Sequence, residues 1–230
     1  PPPASARRTE TMAMLDVNTA RRQMIEQQVR AWAVLDLKVL EAMERVPREA
    51  FTPPAYRDLA FADMNVPLGL GQSMLAPKLE GRILQSLALG PDDDVLEVGT
   101  GSGYFAACLG RLAHSVRSIE IFPELAAAAR ANLARADAHN VTTEAADAFA
   151  LDDAGRYDAV VLTGSLPMYD GRFEGWLAVG GRLFVVVGQG PVMEALRITC
   201  TAPGEYLRES LFETVMDPLV HAVEPPKFVF

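Results

Sequence analysis

A glycine-rich run is the part of the sequence best suited to holding a small ligand. It occupies residues 96–104 (LEVGTGSGY) and follows a short apolar stretch that predicts a buried strand. Glycines between a strand and a helix let the backbone turn tightly and let a ligand approach the main chain closely. The spacing G-x-G-x-G differs from the G-x-G-x-x-G of dinucleotide sites, so it argues against a nicotinamide cofactor. The candidate binding residues here are Glu97, Gly99, Thr100, Gly101, Ser102 and Gly103, and a purely structural tight turn is the alternative.

Two carboxylates follow later predicted strands at the points where those strands end. Glu120, with Ile121 beside it, closes the strand predicted at 115–120, and Asp147, with Ala148 beside it, follows the strand predicted at 141–145. A carboxylate at the first position can accept hydrogen bonds from both ribose hydroxyls. Either acid alone could be a surface carboxylate. Because ligands of open parallel sheets bind at the carboxyl ends of strands, we expect both acids to share one site with the glycine turn.

The elements that must position these residues alternate between strand and helix from residue 94 onward. Strands are predicted at 94–98, 115–120, 141–145, 157–163 and 182–187, with intervening helices to about 113, at 123–138 and near 173–177. Two further strands, 194–200 and 206–214, flank a Pro203-Gly204 turn and predict a hairpin. This order predicts an α/β fold with a doubly wound, mostly parallel seven-stranded sheet, to which the hairpin adds an antiparallel edge.

A helical extension is predicted ahead of the sheet. One helix, capped by Asn18 or Thr19, should run to about residue 31, and its apolar face consists of Ile25, Val29 and Trp32. Asp36 should cap a second helix that ends at Pro47, residues 51–75 should be irregular, and another helix should begin at Pro77. We therefore expect a mobile tail at 1–17 and one domain at 18–230. Within that domain, 18–90 is the substrate-side extension, 91–190 the cofactor-binding core and 191–230 the hairpin region.

Composition restricts the class of protein and its partners. Half of the residues are hydrophobic, 22% are charged, and the net charge is −9, which is a globular balance unsuited to binding nucleic acid or anionic membranes through bulk charge. Cys108 and Cys200 lie in apolar stretches and are expected to be free buried thiols, with a disulfide as the alternative. We expect no metal site, and the three histidines, His114, His139 and His221, should be structural or surface residues. The sequence shows neither a span of about 20 apolar residues nor a secretory signal, so a cytoplasmic location is expected.

Several blocks of sequence carry a family resemblance. The E-x-G-x-G-x-G run resembles motif I of class I S-adenosylmethionine-dependent methyltransferases. Residues 24–30 (MIEQQVR), 39–48 (VLEAMERVPR), 51–53, 60–63 and 67–72 resemble protein-L-isoaspartate O-methyltransferases, and so do 118–120, 157–161 and 180–183. The resemblance covers roughly residues 20–190 and implies a Rossmann-like methyltransferase fold.

The resemblance also implies an activity and the ligands for it. Members of the family transfer a methyl group from S-adenosylmethionine to the free α-carboxylate of isoaspartyl residues, which starts protein repair and leaves S-adenosylhomocysteine. The glycine turn would then hold the methionine and ribose portions, Glu120 the ribose hydroxyls and Asp147 the adenine amino group. A peptide or protein carrying a carboxylate is the implied partner. Because a carboxylate is already a nucleophile, orientation and exclusion of water suffice and no general base is required.

One segment departs from the family pattern of Gly-Gln-Thr-Ile-Ser before a proline. Here Gln72 keeps its place as a candidate cofactor-binding residue. Ser73 takes the threonine position and Leu75 that of the family's active-site serine, so both are candidate catalytic positions. The exit of the fourth strand also differs, with Thr163 retained and Ser165 as a candidate replacement hydroxyl. A leucine cannot hydrogen-bond a carboxylate. The alternatives to isoaspartyl methylation are therefore a related methyltransferase with another acceptor, or a cofactor-binding protein with little turnover.

Overall fold

A computed structural model describes residues 16–152 and 156–226 of the chain. Most of the tail expected at 1–17 lies outside these residues. The described part begins with helix α1 at 16–24, which continues as a π turn, Ile25–Val29, and a 3₁₀ turn, Arg30–Trp32. Three short helices follow: α2 (Leu37–Arg45), α3 (Arg48–Phe51) and, after a 3₁₀ turn at Pro54–Leu59, α4 (Pro77–Leu87). The expected helical extension is thus present.

The central feature is a seven-stranded sheet, as the sequence predicts. Its strands are β3 (Asp94–Val98), β4 (Ser115–Glu120), β5 (Val141–Ala145), β6 (Tyr157–Leu162), β7 (Leu177–Gln189), β8 (Val192–Ala202) and β9 (Glu205–Thr214). They lie in the order β5-β4-β3-β6-β7-β8-β9. The first five are parallel, and β8 and β9 are antiparallel. Helix α5 (Tyr104–Gly110) joins β3 to β4, and α6 (Pro123–Arg135) joins β4 to β5.

Apolar residues cover both faces of this sheet. Successive residues of one strand enter different hydrophobic clusters: Val95 packs with the N-terminal helices, α4 and α5, whereas Leu96 packs with Phe173 and Trp176 on the other face. This alternation is the period-two geometry of a strand whose two faces are both covered. Burial on both faces explains why the sequences of the parallel strands are continuous apolar runs. The ends of the strands are then the part of the sheet that remains open.

The N-terminal helix differs from its prediction in two respects. It already includes residue 16, so neither Asn18 nor Thr19 caps it. Ile25 and Val29 are buried as expected, but Trp32 is 41% exposed. The cause is the π turn, because its extra residue per turn rotates the following side chains away from the inward face. Asp36 does cap α2, and its side chain accepts a hydrogen bond from the Lys38 amide at 2.9 Å.

The segment predicted to be irregular contains a small hairpin. Strands β1 (Val66–Gly69) and β2 (Gln72–Met74) pair in antiparallel fashion. The turn between them includes Leu70 at φ 54°, a left-handed conformation uncommon for a residue with a side chain. Because both strands are short and the turn residue is leucine, neither periodicity nor turn chemistry indicated a hairpin. This hairpin places Ser73 beside the carboxyl ends of the central strands.

Strand β7 is longer than expected at both ends. Gly180-Gly181 was expected to precede the strand, but it lies within β7 as an irregularity: Leu177 pairs with Tyr157 and Arg182 with Ala159. The short helix expected near 173–177 is a 3₁₀ turn, Gly171–Trp176. Helices α5 and α6 each end about three residues earlier than predicted, at Gly110 and Arg135.

Candidate cofactor and acceptor site

A cleft of about 740 Å³ opens at the carboxyl ends of the parallel strands. It brings together ten of the residues that the sequence singled out: Gln72, Ser73, Leu75, Gly99, Gly101, Glu120, Ile121, Asp147, Ala148 and Thr163. These residues come from β2 and from the exits of β3, β4, β5 and β6, which is the convergence expected for an open parallel sheet.

The glycine turn forms the floor of the cleft and has no room for side chains. Gly99 has φ 100°, and a Cβ atom built there would lie 2.3 Å from the Thr163 hydroxyl oxygen. That hydroxyl donates to the Gly99 carbonyl at 2.6 Å, so the exit of β6 supports the turn directly. Gly101 has φ 53°, and Leu68 approaches it from the β1–β2 hairpin. A ligand can therefore lie against bare backbone here.

Glu120 is held by backbone amides on both sides. It is 4% exposed. Its Oε2 accepts from the Gly101 amide at 2.8 Å, and its Oε1 accepts from the Phe122 amide at 3.1 Å. An ionised carboxylate has about four acceptor positions. The Glu120 carboxylate can therefore still accept hydrogen bonds from two hydroxyl donors, and the fold already fixes its orientation.

Asp147 lies at the exit of β5 and shares its carboxylate between two protein donors. Its Oδ1 accepts from the Phe149 amide at 2.9 Å, and its Oδ2 lies 2.8 Å from Nδ1 of His221. Partial burial acts to raise the pKa of Asp147, but the hydrogen bonds from His221 and the Phe149 amide outweigh it, so the pKa is lowered. His221, expected to be a structural or surface residue, is 61% exposed and also contacts this carboxylate, a contact that the sequence did not predict.

Glu97 lies beneath the glycine turn and does not line the cleft. It is fully buried, and its Oε2 accepts from the Ser118 hydroxyl, which in turn lies 2.6 Å from the Thr100 hydroxyl. Burial raises the pKa of Glu97 to about 8, opposed by the Ser118 hydrogen bond and assisted by the charge of Glu120. A neutral acid at this point supports the turn from below through Ser118 and Thr100.

The other residues of the turn have packing roles or face a second cavity. Thr100 and Ser102 line a cavity of about 310 Å³ that also contacts Ser73 and Leu75. A Cβ atom at Gly103 would lie 3.3 Å from Ala129 and from Leu133, so this glycine allows α6 to approach the start of α5 closely. Gly103 is not among the residues that line either cavity.

Ser165 does not supply the replacement hydroxyl that the sequence suggested. The side chain is fully buried, and its Oγ donates to the Met216 carbonyl at 2.8 Å. The Ser165 amide also donates to the Asp217 carbonyl at 2.8 Å. Its role is therefore to anchor the C-terminal segment, and its hydroxyl is unavailable to an acceptor in the cleft.

A buried ion pair holds the wall that carries Leu75. Arg48 is fully buried; its Nη2 donates to the Leu75 carbonyl at 2.7 Å, its Nε donates to the Ala60 carbonyl at 2.8 Å, and its Nη1 pairs with Glu80. Its guanidinium also lies 4.7 Å from the centre of the Tyr104 ring. Burial raises the pKa of Glu80 to about 7, although Arg48 acts to lower it. Arg48 belongs to one of the blocks that resemble the family, but its role here was not predicted.

The C-terminal wall of the cleft was not predicted from the sequence. The segment 216–220 lines it, together with the apolar side chains Val98 and Ile119. Leu219 packs over Gly164, where a Cβ atom would lie 2.7 Å from its Cδ2. No local pattern indicated this, because the segment reaches the site only by pairing with the distant Ser165.

These features fit a sulfonium nucleoside. The bare glycine floor admits a ligand chain, two oriented carboxylates can accept hydroxyl and amino hydrogens, and apolar side chains can contact a nucleobase. The fold, glycine spacing and acids together define a class I S-adenosylmethionine-dependent methyltransferase.

Comparison with known proteins makes the assignment more specific. The family described as Protein-L-isoaspartate(D-aspartate) O-methyltransferase matches residues 19–223. A protein-L-isoaspartate O-methyltransferase 2 of Marinobacter nauticus is 39% identical over 207 residues, covering 89% of this chain and 94% of the relative. A protein-L-isoaspartate O-methyltransferase of Rhodopseudomonas palustris is 38% identical over 201 residues, covering 86% and 92%. The chain belongs to the protein-L-isoaspartate O-methyltransferase family.

Solved structures show the same fold. A crystal structure from Plasmodium falciparum, assigned to this class and bound to S-adenosyl-L-homocysteine, superposes with a TM-score of 0.76 at 18% identity, covering 86% of this chain and 97% of that one. Another protein-L-isoaspartate O-methyltransferase gives 0.74 at 20% identity, covering 89% and 67%. The expected fold is thereby confirmed, and membership of the family supports the expected cofactor, S-adenosylmethionine. The alternatives raised by Leu75, another acceptor or little turnover, are not favoured.

Two further observations concern expectations from composition. Cys108 and Cys200 are both buried and free, as expected. Among residues 16–152 and 156–226, none of the helices combines the length and apolar character needed to cross a membrane.

Proposed function

We propose that the chain methylates the free α-carboxylate of isoaspartyl residues in proteins and that the cleft divides into a cofactor side and an acceptor side. The observation that carries this proposal is the convergence of Glu120, Asp147 and the glycine turn with Ser73 and Leu75 around one cavity. When bound, S-adenosylmethionine supplies the methyl group, which a carboxylate oxygen takes as the carbon–sulfur bond breaks and its electron pair stays on sulfur.

The cofactor side is assigned to the central sheet. Gly99 and Gly101 leave the backbone accessible to the methionine portion, Glu120 accepts from the ribose hydroxyls, and Asp147 accepts from the adenine amino group. Support comes from the amides that already fix the Glu120 carboxylate, because an acceptor that is oriented in advance loses little entropy on binding. Ile121 and Ala148 provide apolar contacts next to these acids.

The acceptor side is assigned to β2 and to the exit of β6. Ser73 keeps a hydroxyl that can donate to a carboxylate, and Gln72, the candidate cofactor-binding residue next to it in β2, also lines the cleft. Leu75 occupies the wall where the family has a serine, and Arg48 fixes its main chain. The work of these residues is to orient the acceptor and to exclude water, since a carboxylate needs no base. Residues 18–90 are accordingly proposed as the substrate-side part of one domain at 18–230.

A paired peptide assay tests the proposal. Wild-type protein and S-adenosylmethionine are incubated with a peptide containing one isoaspartyl residue, and separately with the same peptide containing aspartate. We expect a methyl ester only on the isoaspartyl peptide, detected by mass spectrometry. Glu120→Ala should lose most of this activity by weakening cofactor binding, whereas the exposed Glu213→Ala should not. Equal methylation of both peptides, or of neither, would contradict the proposal.

Location and partners belong to the same proposal. A reducing, cytoplasmic location is supported by the two free buried thiols. A protein or peptide substrate, with no nucleic acid, agrees with the net charge of −9. Fractionation of cells that express the tagged protein would test the location.

A further inference from the structure

The C-terminal segment is attached to the cleft at two separate points. At the first point, the Leu219 amide donates to the Ser165 carbonyl at 2.9 Å, and the Ser165 hydroxyl and amide donate to the carbonyls of Met216 and Asp217. At the second point, His221 reaches Asp147 at the exit of β5. The segment 216–220 contains the first attachment, ends next to the second and forms one wall of the cleft.

The contact between His221 and Asp147 also determines which acceptor positions of the carboxylate stay open. The Phe149 amide uses one position on Oδ1, and the imidazole uses one on Oδ2. With about four positions on a carboxylate, one on each oxygen remains. Arg172 is the other charged group that acts on Asp147, and it donates to the Phe149 carbonyl at 2.7 Å.

We propose that His221 is a positioning residue for the nucleobase of the cofactor: it orients the Asp147 carboxylate toward the 6-amino group. This inference rests on the proposed role of Asp147. Its consequence is discrimination at one atom of the base, because an oriented carboxylate accepts from an amino group and repels a carbonyl oxygen at the same position.

The alternative is an ordinary surface contact. The side chains of His221 and Asp147 are 61% and 30% exposed, and exposed ion pairs often contribute little to stability. A surface contact of that kind would not alter which base the cleft prefers. Base preference is therefore the quantity that separates the two interpretations.

Calorimetry with two ligands provides the test. S-adenosylhomocysteine carries the 6-amino group, and S-inosylhomocysteine carries a carbonyl there. We expect His221→Ala to weaken binding of the adenosyl ligand about fivefold and that of the inosyl ligand little, so the preference falls by the same factor. His221→Asn should restore most of the preference, since its amide nitrogen can reach Asp147 from a similar distance. His139→Ala, which removes an exposed histidine far from the cleft, is the matched control.

A double-variant comparison completes the design. In an Asp147→Asn background, His221→Ala should cause no further change in preference, because the residue acts through that carboxylate. Equal weakening of both ligands by His221→Ala, or effects that add in the double variant, would overturn the inference while leaving the proposed function intact. Failure of the wild-type protein to bind either ligand would instead refute the proposed function itself, and the inference with it.

Discussion

The protonation state of Glu97 can be tested directly through stability. The side chain is fully buried, its Oε2 accepts from Ser118, and its Oε1 has no hydrogen-bond partner among the described residues. A charge in that position would be poorly compensated. Glu97→Gln keeps the size and an acceptor oxygen for Ser118 but cannot ionise, so it isolates the cost of the charge.

The direction and size of the expected change in stability with pH follow from the shift of the Glu97 pKa from 4.5 to about 8. Between these values the unfolded chain has lost the proton while the folded protein keeps it, so folding takes up a proton. The contribution of Glu97 to the free energy of unfolding is therefore fully present below pH 4.5. It is lost as the pH rises to 8, at about 1.4 kcal/mol per pH unit. Between pH 6 and pH 8 the loss is about 2 kcal/mol, because the slope flattens near the folded-state pKa, and Glu97→Gln should not show it.

Urea unfolding at pH 6, 7, 8 and 9, followed by tryptophan fluorescence, provides the measurement. The difference in unfolding free energy between Glu97→Gln and wild type should move in favour of the variant by about 2 kcal/mol from pH 6 to pH 8. It should then level off. Glu213→Gln removes an exposed carboxylate from β9 and should give a constant difference. A constant difference for Glu97→Gln as well would mean that the buried group is ionised throughout, and the reasoning would be refuted.

Three other substitutions have definite expected outcomes. Gly99→Ala should lower the thermal midpoint and weaken S-adenosylhomocysteine binding in calorimetry, because the new Cβ would lie 2.3 Å from the Thr163 hydroxyl oxygen; Gly175→Ala, with open space around it, should do neither. Arg48→Met should cost about 3–5 kcal/mol in urea unfolding by leaving its buried glutamate partner uncompensated, and a result below 1 kcal/mol would contradict this. Leu75→Ser should raise kcat/KM on an isoaspartyl peptide about fivefold by adding a hydroxyl donor, and an unchanged value would mean that Leu75 does not limit the activity.

The central strands were predictable because burial on both faces leaves a strong local signal. The apolar runs around Val95 and Val160 match β3 and β6 within a residue or two. The β1–β2 hairpin was not predictable, because its turn places Leu70 in a left-handed conformation that favours glycine. The side chains that face inward at the end of α1 were predicted incorrectly for a similar reason. A π turn has no simple sequence signature, and here it moved Trp32 to the surface.

The same distinction holds for the site: residues whose positions depend on local sequence were predictable, and residues whose roles depend on distant contacts were not. The glycine turn and the position of Glu120 depend on a strand end and its next few residues, so the sequence placed them at the cleft. Ser165 and His221 depend on partners far away in the chain, Met216 and Asp147. The Ser165 hydroxyl was wrongly expected to be available, and the contact of His221 was not predicted. Residue types alone could not reveal whether a hydroxyl was free or an imidazole was paired.

The contacts of Arg48 have a consequence for how such enzymes can be recombined. Its guanidinium gathers Ala60, Leu75 and Glu80, all of which lie in one continuous stretch of chain from 48 to 80. A transplant of that stretch from a relative would carry the wall beside the acceptor together with its internal supports. The acids at the ends of β4 and β5 would remain with the host, so the transplant could change acceptor preference without redesign of the half that holds the nucleoside.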